Sequence, residues 1–233
     1  MAGSLPRPRG YSRRVPEKLD DASEVRARRM ICRADPVLGA VIRRVGPCPL
    51  RPAGRPYASL LRSILYQQLA GAAARAIERR FLALFDGRYP TPTVLRATRI
   101  DRLRRAGLSR NKAVAVRAVA EAFGSGEVRE RRLWHLDDQE VVDQLVTIRG
   151  VGEWTVHMLL MTALGRPDVL PVGDYGVRKG AQRLYGLGEL PRPKQLVMLA
   201  EAWRPWRSIA SWYLWRHEAI EEVCLARDGR RGG

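Results

Sequence analysis

The stretch LVTIRGVGEWTVHMLLMTALGRPDVLPVGDYGVRK, residues Leu145 to Lys179, decides how this chain folds and where its chemistry sits. An apolar-periodic segment ends at the turn Gly150-Val151-Gly152, and a second helix is predicted from about Glu153. Farther on a single carboxylate, Asp174, stands in a loop that opens another helix. A tight turn between helices needs residues without a Cβ where backbone approaches backbone or a phosphate. The start of the second helix leaves unpaired N–H groups and the positive end of a dipole, for which a phosphate oxygen is a natural partner. Such a turn grips backbone rather than bases, so it positions DNA without reading its sequence. The same residues also read as a plain αα-hairpin with a glycine cap, and Asp174 as an ordinary N-cap.

Outward from this stretch the periodicity stays helical. Helices are predicted over Tyr57–Gln68, Ala72–Phe85, Thr93–Ala97, Ile100–Arg105 and Asn111–Phe123, the last with Ala113, Val116, Ala120 and Phe123 at three- to four-residue spacing. Gly124 and Gly126 end it. Asp137 and Asp138 can cap a helix that runs to Thr147. Gly173 and Asp174 precede a helix to Tyr185, Pro193 opens one to Trp203, and Trp206–Val223 is the last, with Trp206, Ile209, Ala210, Tyr213 and Leu214 on one stripe. Strand-like alternation is nearly absent, so the fold class is all-α, in two helical subdomains with a cleft between them. Residues 1–30, rich in Arg, Pro and Gly, read as a basic flexible tail. Residues 31–228 form the domain proper: one subdomain over about 57–165 holds the hairpin, and a second is built from 31–56 plus 170–228.

Composition narrows the partners. The chain of 233 residues carries a net charge of +18, and its pI is about 11.1. Lys18, Lys112, Lys179 and Lys194 are the only lysines, so arginine supplies the rest of the 42 basic residues. A charge this large attracts polyanions through salt-dependent phosphate contacts, which points to a nucleic acid; a basic surface that merely reflects an arginine-rich genome composition is the plain alternative. Cys32, Cys48 and Cys224 lie far apart with no CxxC, against a zinc site, an iron–sulfur cluster or a disulfide framework. No apolar run approaches the roughly 20 residues of a membrane span, and no apolar signal segment opens the chain. The expectation is an intracellular protein of the cytoplasm and nucleoid, monomeric, with no membrane and no obligate protein partner.

Five motifs stand in order: SILYQQLAGAAA (Ser63–Ala74), GLSRNKA (Gly107–Ala113), IRGVGEWT (Ile148–Thr155), LPVGDYGVRK (Leu170–Lys179) and RPWRSIASWYLWR (Arg204–Arg216). Across roughly residues 55–220 the chain resembles the helix–hairpin–helix DNA glycosylase superfamily, most of all its DNA-3-methyladenine glycosylase II branch. The resemblance makes the nucleic-acid partner double-stranded DNA and implies base-excision repair: an alkylated base is flipped from the duplex and its N-glycosidic bond hydrolysed, leaving an abasic site. Asp174 falls at the family's catalytic carboxylate. Gly150, Val151 and Gly152 fall at the phosphate-binding hairpin, and Trp154, Trp215 and Met158 at the base pocket. Gln68 falls at the residue that wedges into the duplex. The backbone carbonyls of Val146, Ile148 and Val151 fall where the family often holds a monovalent cation, Na+ or K+. No other cofactor is implied.

The chemistry fits those residues. Cleaving the N-glycosidic bond builds positive charge on the sugar, and a fixed carboxylate beside it lowers the barrier. An alkylated base is already cationic and leaves without a strong general acid. Stacking such a cation on tryptophan contributes about 0.5–2 kcal/mol. Relatives that also cut the strand hold a Schiff-base lysine where this chain has Trp154, so a monofunctional enzyme is implied. The chain departs from the pattern at Met158, where the bacterial relative has Tyr, at Gly173, which replaces an acidic residue, and at Gln68, where an apolar wedge is usual. The larger relative's N-terminal sheet domain has no counterpart in residues 1–50. Two other readings stay open: a binding module without chemistry, and a glycosylase/lyase that uses Lys179.

Overall fold

The computed structural model describes residues 18–69 and 71–228, and every regular element among them is helical. The chain starts with α1 (Asp21–Ala34) and α2 (Pro36–Val45). It crosses into a second lobe with α3 (Pro56–Tyr66), α4 (Gly71–Ala83), α5 (Pro92–Ala97), α6 (Ile100–Arg105), α7 (Arg110–Gly124), α8 (Glu130–Leu133), α9 (Asp138–Leu145) and α10 (Glu153–Thr162). It then returns with α11 (Tyr175–Leu184), α12 (Pro193–Ala200), a 3-10 turn (Glu201–Trp203) and α13 (Arg207–Asp228). No helix among the described residues is long and apolar enough to cross a membrane.

Two apolar cores follow from this path. One runs from Tyr57 to Val169. The other joins Leu19–Cys48 to Leu170–Leu214. In α3 the buried residues Tyr57, Leu60, Leu61, Ile64 and Leu65 make one helical stripe. α10 is buried on nearly every side, through Thr155, Val156, Met158, Leu159, Leu160 and Met161, and packs against α3 and α9. The stripe expected in the last helix is buried as read: Ile209, Ala210, Tyr213 and Leu214 lose all exposure. α11 crosses α13 at Gly180, where a Cβ would collide with the Leu214 carbonyl. Only a glycine lets these two backbones approach so closely.

The boundary of the basic tail differs from expectation. Residues 1–17 lie outside the described residues, but α1 begins at Asp21, well inside the segment read as a flexible tail. Asp20 caps it, accepting from the Ser23 N–H at 2.6 Å, while Ser23 Oγ accepts from the Asp20 N–H at 2.7 Å. Leu19, Ala27 and Ile31 are buried in the core that holds α13. Glu24, 2% exposed, accepts from the Cys48 N–H and pairs with Arg28. Within the segment read as a tail, the inward positions of α1 are a serine, a glutamate and an alanine, which periodicity in apolar residues passes over; Ile31 lies just beyond it. Asp35 fastens the elbow after α1: it caps α2 and accepts from Trp203 Nε1 at 2.8 Å and Tyr185 Oη at 2.5 Å.

Candidate active site

The hairpin forms between α9 and α10. Asp137, with Glu140, builds a capping box at the start of α9, while Asp138 instead pairs with the buried Arg166. α9 ends at Leu145, and the chain turns through Val146–Gly152. Gly150 has φ +85, and a Cβ there would collide with the Ala115 Cβ of α7. A positive φ and a wall of buried side chain both demand glycine. Gly152 is different: its φ is −105 and a Cβ would meet nothing within 4 Å. It caps α10 without any side-chain hydrogen bond, so the first-turn N–H groups have no acceptor from the cap. Gly150 and Gly152 are exposed, while Val151 and Ile148 are buried in the core beneath. Among the carbonyls of the turn, that of Ile148 accepts the Val151 N–H at 3.0 Å.

Asp174 lies just before α11, 8% exposed. It is an N-cap, as its position permits: Oδ1 accepts from the Val177 N–H at 2.7 Å. It is more than that. Trp215 Nε1 donates to Oδ1 at 2.8 Å, and Trp154 Nε1 donates to Oδ2 at 2.6 Å. Three N–H groups therefore fix both oxygens, and charge-assisted bonds of this kind are short and strong. Trp154 comes from α10 and Trp215 from α13, so residues far apart in the chain converge on one carboxylate. Both tryptophans are half-buried, and Trp215 packs against both cores. Stacking was the role expected of these rings; their indole edges also orient the carboxylate. Gly176 leaves the two groups room: a Cβ there would stand 3.0 Å from Trp215 Cδ1 and 3.2 Å from Asp174 Oδ1, so one of them would have to give way by a few tenths of an ångström.

The remaining expected residues are placed as follows. Met158, one turn beyond Trp154 on α10, is 9% exposed and packs within the first core. Gln68 does not belong to α3, which stops at Tyr66. It sits exposed beyond the helix end with φ 54, a left-handed conformation uncommon for a residue with a Cβ. Beside it Leu69 is 38% exposed. Lys179 donates from Nζ to Gln182 Oε1 at 2.8 Å. Sequence reasoning passed over Gln67, whose side-chain amide donates to the Gly150 carbonyl at 3.1 Å and to Thr155 Oγ1 at 2.9 Å. It also passed over Lys112, which donates to the Leu65 carbonyl at 2.8 Å and whose ammonium is pushed below its ordinary range by burial.

A carboxylate held by two indoles, near a glycine hairpin at the start of a helix and in an all-helical frame of two cores, is a fixed negative charge placed to oppose positive charge on a bound group. Residues 61–207 match the HhH-GPD superfamily of base excision DNA repair proteins. The DNA-3-methyladenine glycosylase 1 of Schizosaccharomyces pombe is 36% identical over 169 residues, covering 72% of this chain and 74% of that protein. A solved structure of the S. pombe 3-methyladenine DNA glycosylase with abasic DNA matches with a TM-score of 0.76 and 32% identity, over 82% of this chain and 95% of that one. A DNA-3-methyladenine glycosidase from Bacillus halodurans matches with a TM-score of 0.69 and 37% identity, over 85% and 90%. The chain belongs to the HhH-GPD superfamily of base excision DNA repair proteins.

Proposed function

We infer that the protein is a monofunctional DNA glycosylase that removes alkylated bases of the 3-methyladenine and 7-methylguanine class. The observation that carries this reading is Asp174, fixed at both oxygens by Trp154, Trp215 and the Val177 N–H. As the C1′–N bond breaks, positive charge grows on the sugar, and an immobile carboxylate needs no reorganisation to oppose it. The alkylated base departs with the bonding electrons and becomes neutral. Water then adds at C1′ and gives up a proton, leaving an abasic site. No amine stands at the hairpin position of Trp154, and the Lys179 ammonium is engaged by Gln182, which supports hydrolysis without strand cleavage.

DNA is held at the hairpin. Nothing among the described residues requires position 152 to be glycine, so its smallness serves a group arriving from outside, and the uncapped N–H groups of α10 suit a phosphate. Gln68, with Leu69 beside it, fills the gap left in the stack when the base is extruded, a step that costs least at damaged or mismatched pairs. The carbonyls of Val146, Ile148 and Val151 are hard oxygen donors of the kind that suits Na+ or K+. The Ile148 carbonyl keeps one lone pair after accepting the Val151 N–H. A cation there would draw a phosphate onto the turn. No other cofactor enters the reaction, which takes place wherever chromosomal DNA lies.

The test is release of free base from methylated duplex DNA, assayed before and after mild alkali. The parent is expected to free 3-methyladenine or 7-methylguanine, with strand breaks appearing only after alkali. Asp174→Asn keeps Oδ1 for Val177 and Trp215 but turns an NH2 group toward the Trp154 N–H. It should retain DNA binding and lose about 10²-fold or more in release rate. Equal activity in the variant would refute the assignment.

A further inference from the structure

We propose that Gln67 is a positioning residue that locks the wedge-bearing turn to the phosphate-gripping hairpin, so that holding the strand and extruding the base act as one rigid movement. The proposal rests on the functional reading above and adds to it how two parts of the site are coupled. α3 ends at Tyr66, and the backbone of Gln67 (φ −51, ψ 131) swings the chain out of the helix. Gln68 follows in a left-handed conformation on an exposed turn. A conformation of that kind persists only where the surroundings over-determine it, and here the constraint comes from three contacts that close a triangle. Lys112 Nζ of α7 holds the Leu65 carbonyl at the end of α3. Ala115 of the same helix seats Gly150. Gln67 Nε2 closes the third side, donating to the Gly150 carbonyl and Thr155 Oγ1.

The chemistry of the third side is specific to an amide. The Gly150 carbonyl only accepts, so the NH2 end must face it, and the two N–H groups of that end can serve two acceptors at once. Glutamate, of the same shape, has no donor and would set a carboxylate against a carbonyl. Thr155 is 1% exposed, so its hydroxyl has little water to turn to when Gln67 is lost. A phosphate drawn to the hairpin therefore sets the backbone of Gly150, and through Gln67 it sets the turn that carries Gln68.

The experiment measures single-turnover release of 7-methylguanine from two duplexes, one with the lesion correctly paired and one with it opposite a mismatched base. Gln67→Glu and Gln67→Ala are compared with the parent. On the paired lesion each variant is expected to be slower by about tenfold, the loss of one or two hydrogen bonds to the group that must be placed. On the mismatched lesion, where extrusion costs little, the loss should shrink below about threefold. On a Gln68→Ala background, Gln67→Glu should add almost nothing, since the residue acts through Gln68. Thr155→Val, which removes the other partner without changing shape, should give the same selectivity for the paired lesion if the Gln67 variants fold poorly. Equal losses on the two duplexes, or no loss on either, would overturn the proposal. A parent that released no base from either duplex would instead overturn the functional reading beneath it.

Discussion

Replacing Gly150 by alanine tests the hairpin at its most constrained point. The residue has φ +85, and a left-handed alanine costs about 1–2 kcal/mol, partly offset by about 0.4–1 kcal/mol from the loss of freedom in the unfolded chain. The added methyl would collide with the Ala115 Cβ and stand 3.3 Å from its Cα, in a helix that cannot easily retreat. Forcing a methyl into a packed site costs about 1–3 kcal/mol. Together these give a destabilisation of about 1–5 kcal/mol, which for a chain of this size lowers the melting temperature by roughly 2–18 °C. Urea and thermal unfolding followed by tryptophan fluorescence measure it directly. Ala115→Gly alone should cost about 1 kcal/mol as a glycine in a helix. In the double variant the collision with the Cβ is gone and only the 3.3 Å approach to the Cα remains, so its cost should fall short of the two single costs added together. Gly152→Ala is the control: it should cost no more than about 1 kcal/mol, yet weaken DNA binding in an anisotropy titration because a phosphate approaches there. If Gly150→Ala melts with the parent, or if the two changes prove strictly additive, the packing argument is wrong. If Gly152→Ala binds DNA as the parent does, the phosphate does not approach at that glycine.

Other expectations follow from the same geometry. Trp154→Phe keeps a ring but removes the N–H that holds Asp174 Oδ2, so kcat should fall about 10- to 100-fold while affinity for DNA with an abasic site stays within about twofold. Burial pushes the Cys48 thiol up to about 12, well above an ordinary thiol, so at pH 8 it stays protonated as well as enclosed. Iodoacetamide should therefore label half-buried Cys32 long before Cys48, as read by peptide mass mapping. DNA affinity should fall steeply with salt, and at equal ionic strength it should be stronger in KCl or NaCl than in tetramethylammonium chloride if the carbonyls of Val146, Ile148 and Val151 hold a cation. Equal titrations in the three salts would remove the cation from the account.

What could be read from the chain, and what could not, has a physical pattern. The placement of Asp174 at a helix start and of the glycine turn between two helices was legible because residue type at one place in the sequence sets each. Trp215 stood out only through the family resemblance, and its place shows why: it packs on both cores while its indole N–H reaches Asp174, contacts that no local pattern announces. Gln67 was not legible, because its partners lie 83 and 88 residues away and a glutamine at a helix end has an adequate local explanation. Gly176 was equally silent, since the demand for a missing Cβ comes from a tryptophan on another helix. α1 was taken for a tail because its inward face carries Ser23, Glu24 and Ala27, whose burial depends on capping and ion pairing rather than on apolar periodicity.

The convergence of Trp154 and Trp215 on one carboxylate has a consequence for how this enzyme can change. One indole belongs to each lobe, so the carboxylate proposed to oppose the sugar's charge is also a clasp between the two halves. Removing Asp174 would leave two indole N–H groups and the start of α11 without their acceptor. Catalytic loss and loosening of the two halves would then arrive together. A variant that repacks the cleft to admit a larger base must keep that clasp closed or give up the reaction. Substrate range in this protein is therefore free to drift along the walls of the cleft, and is pinned where its two halves meet.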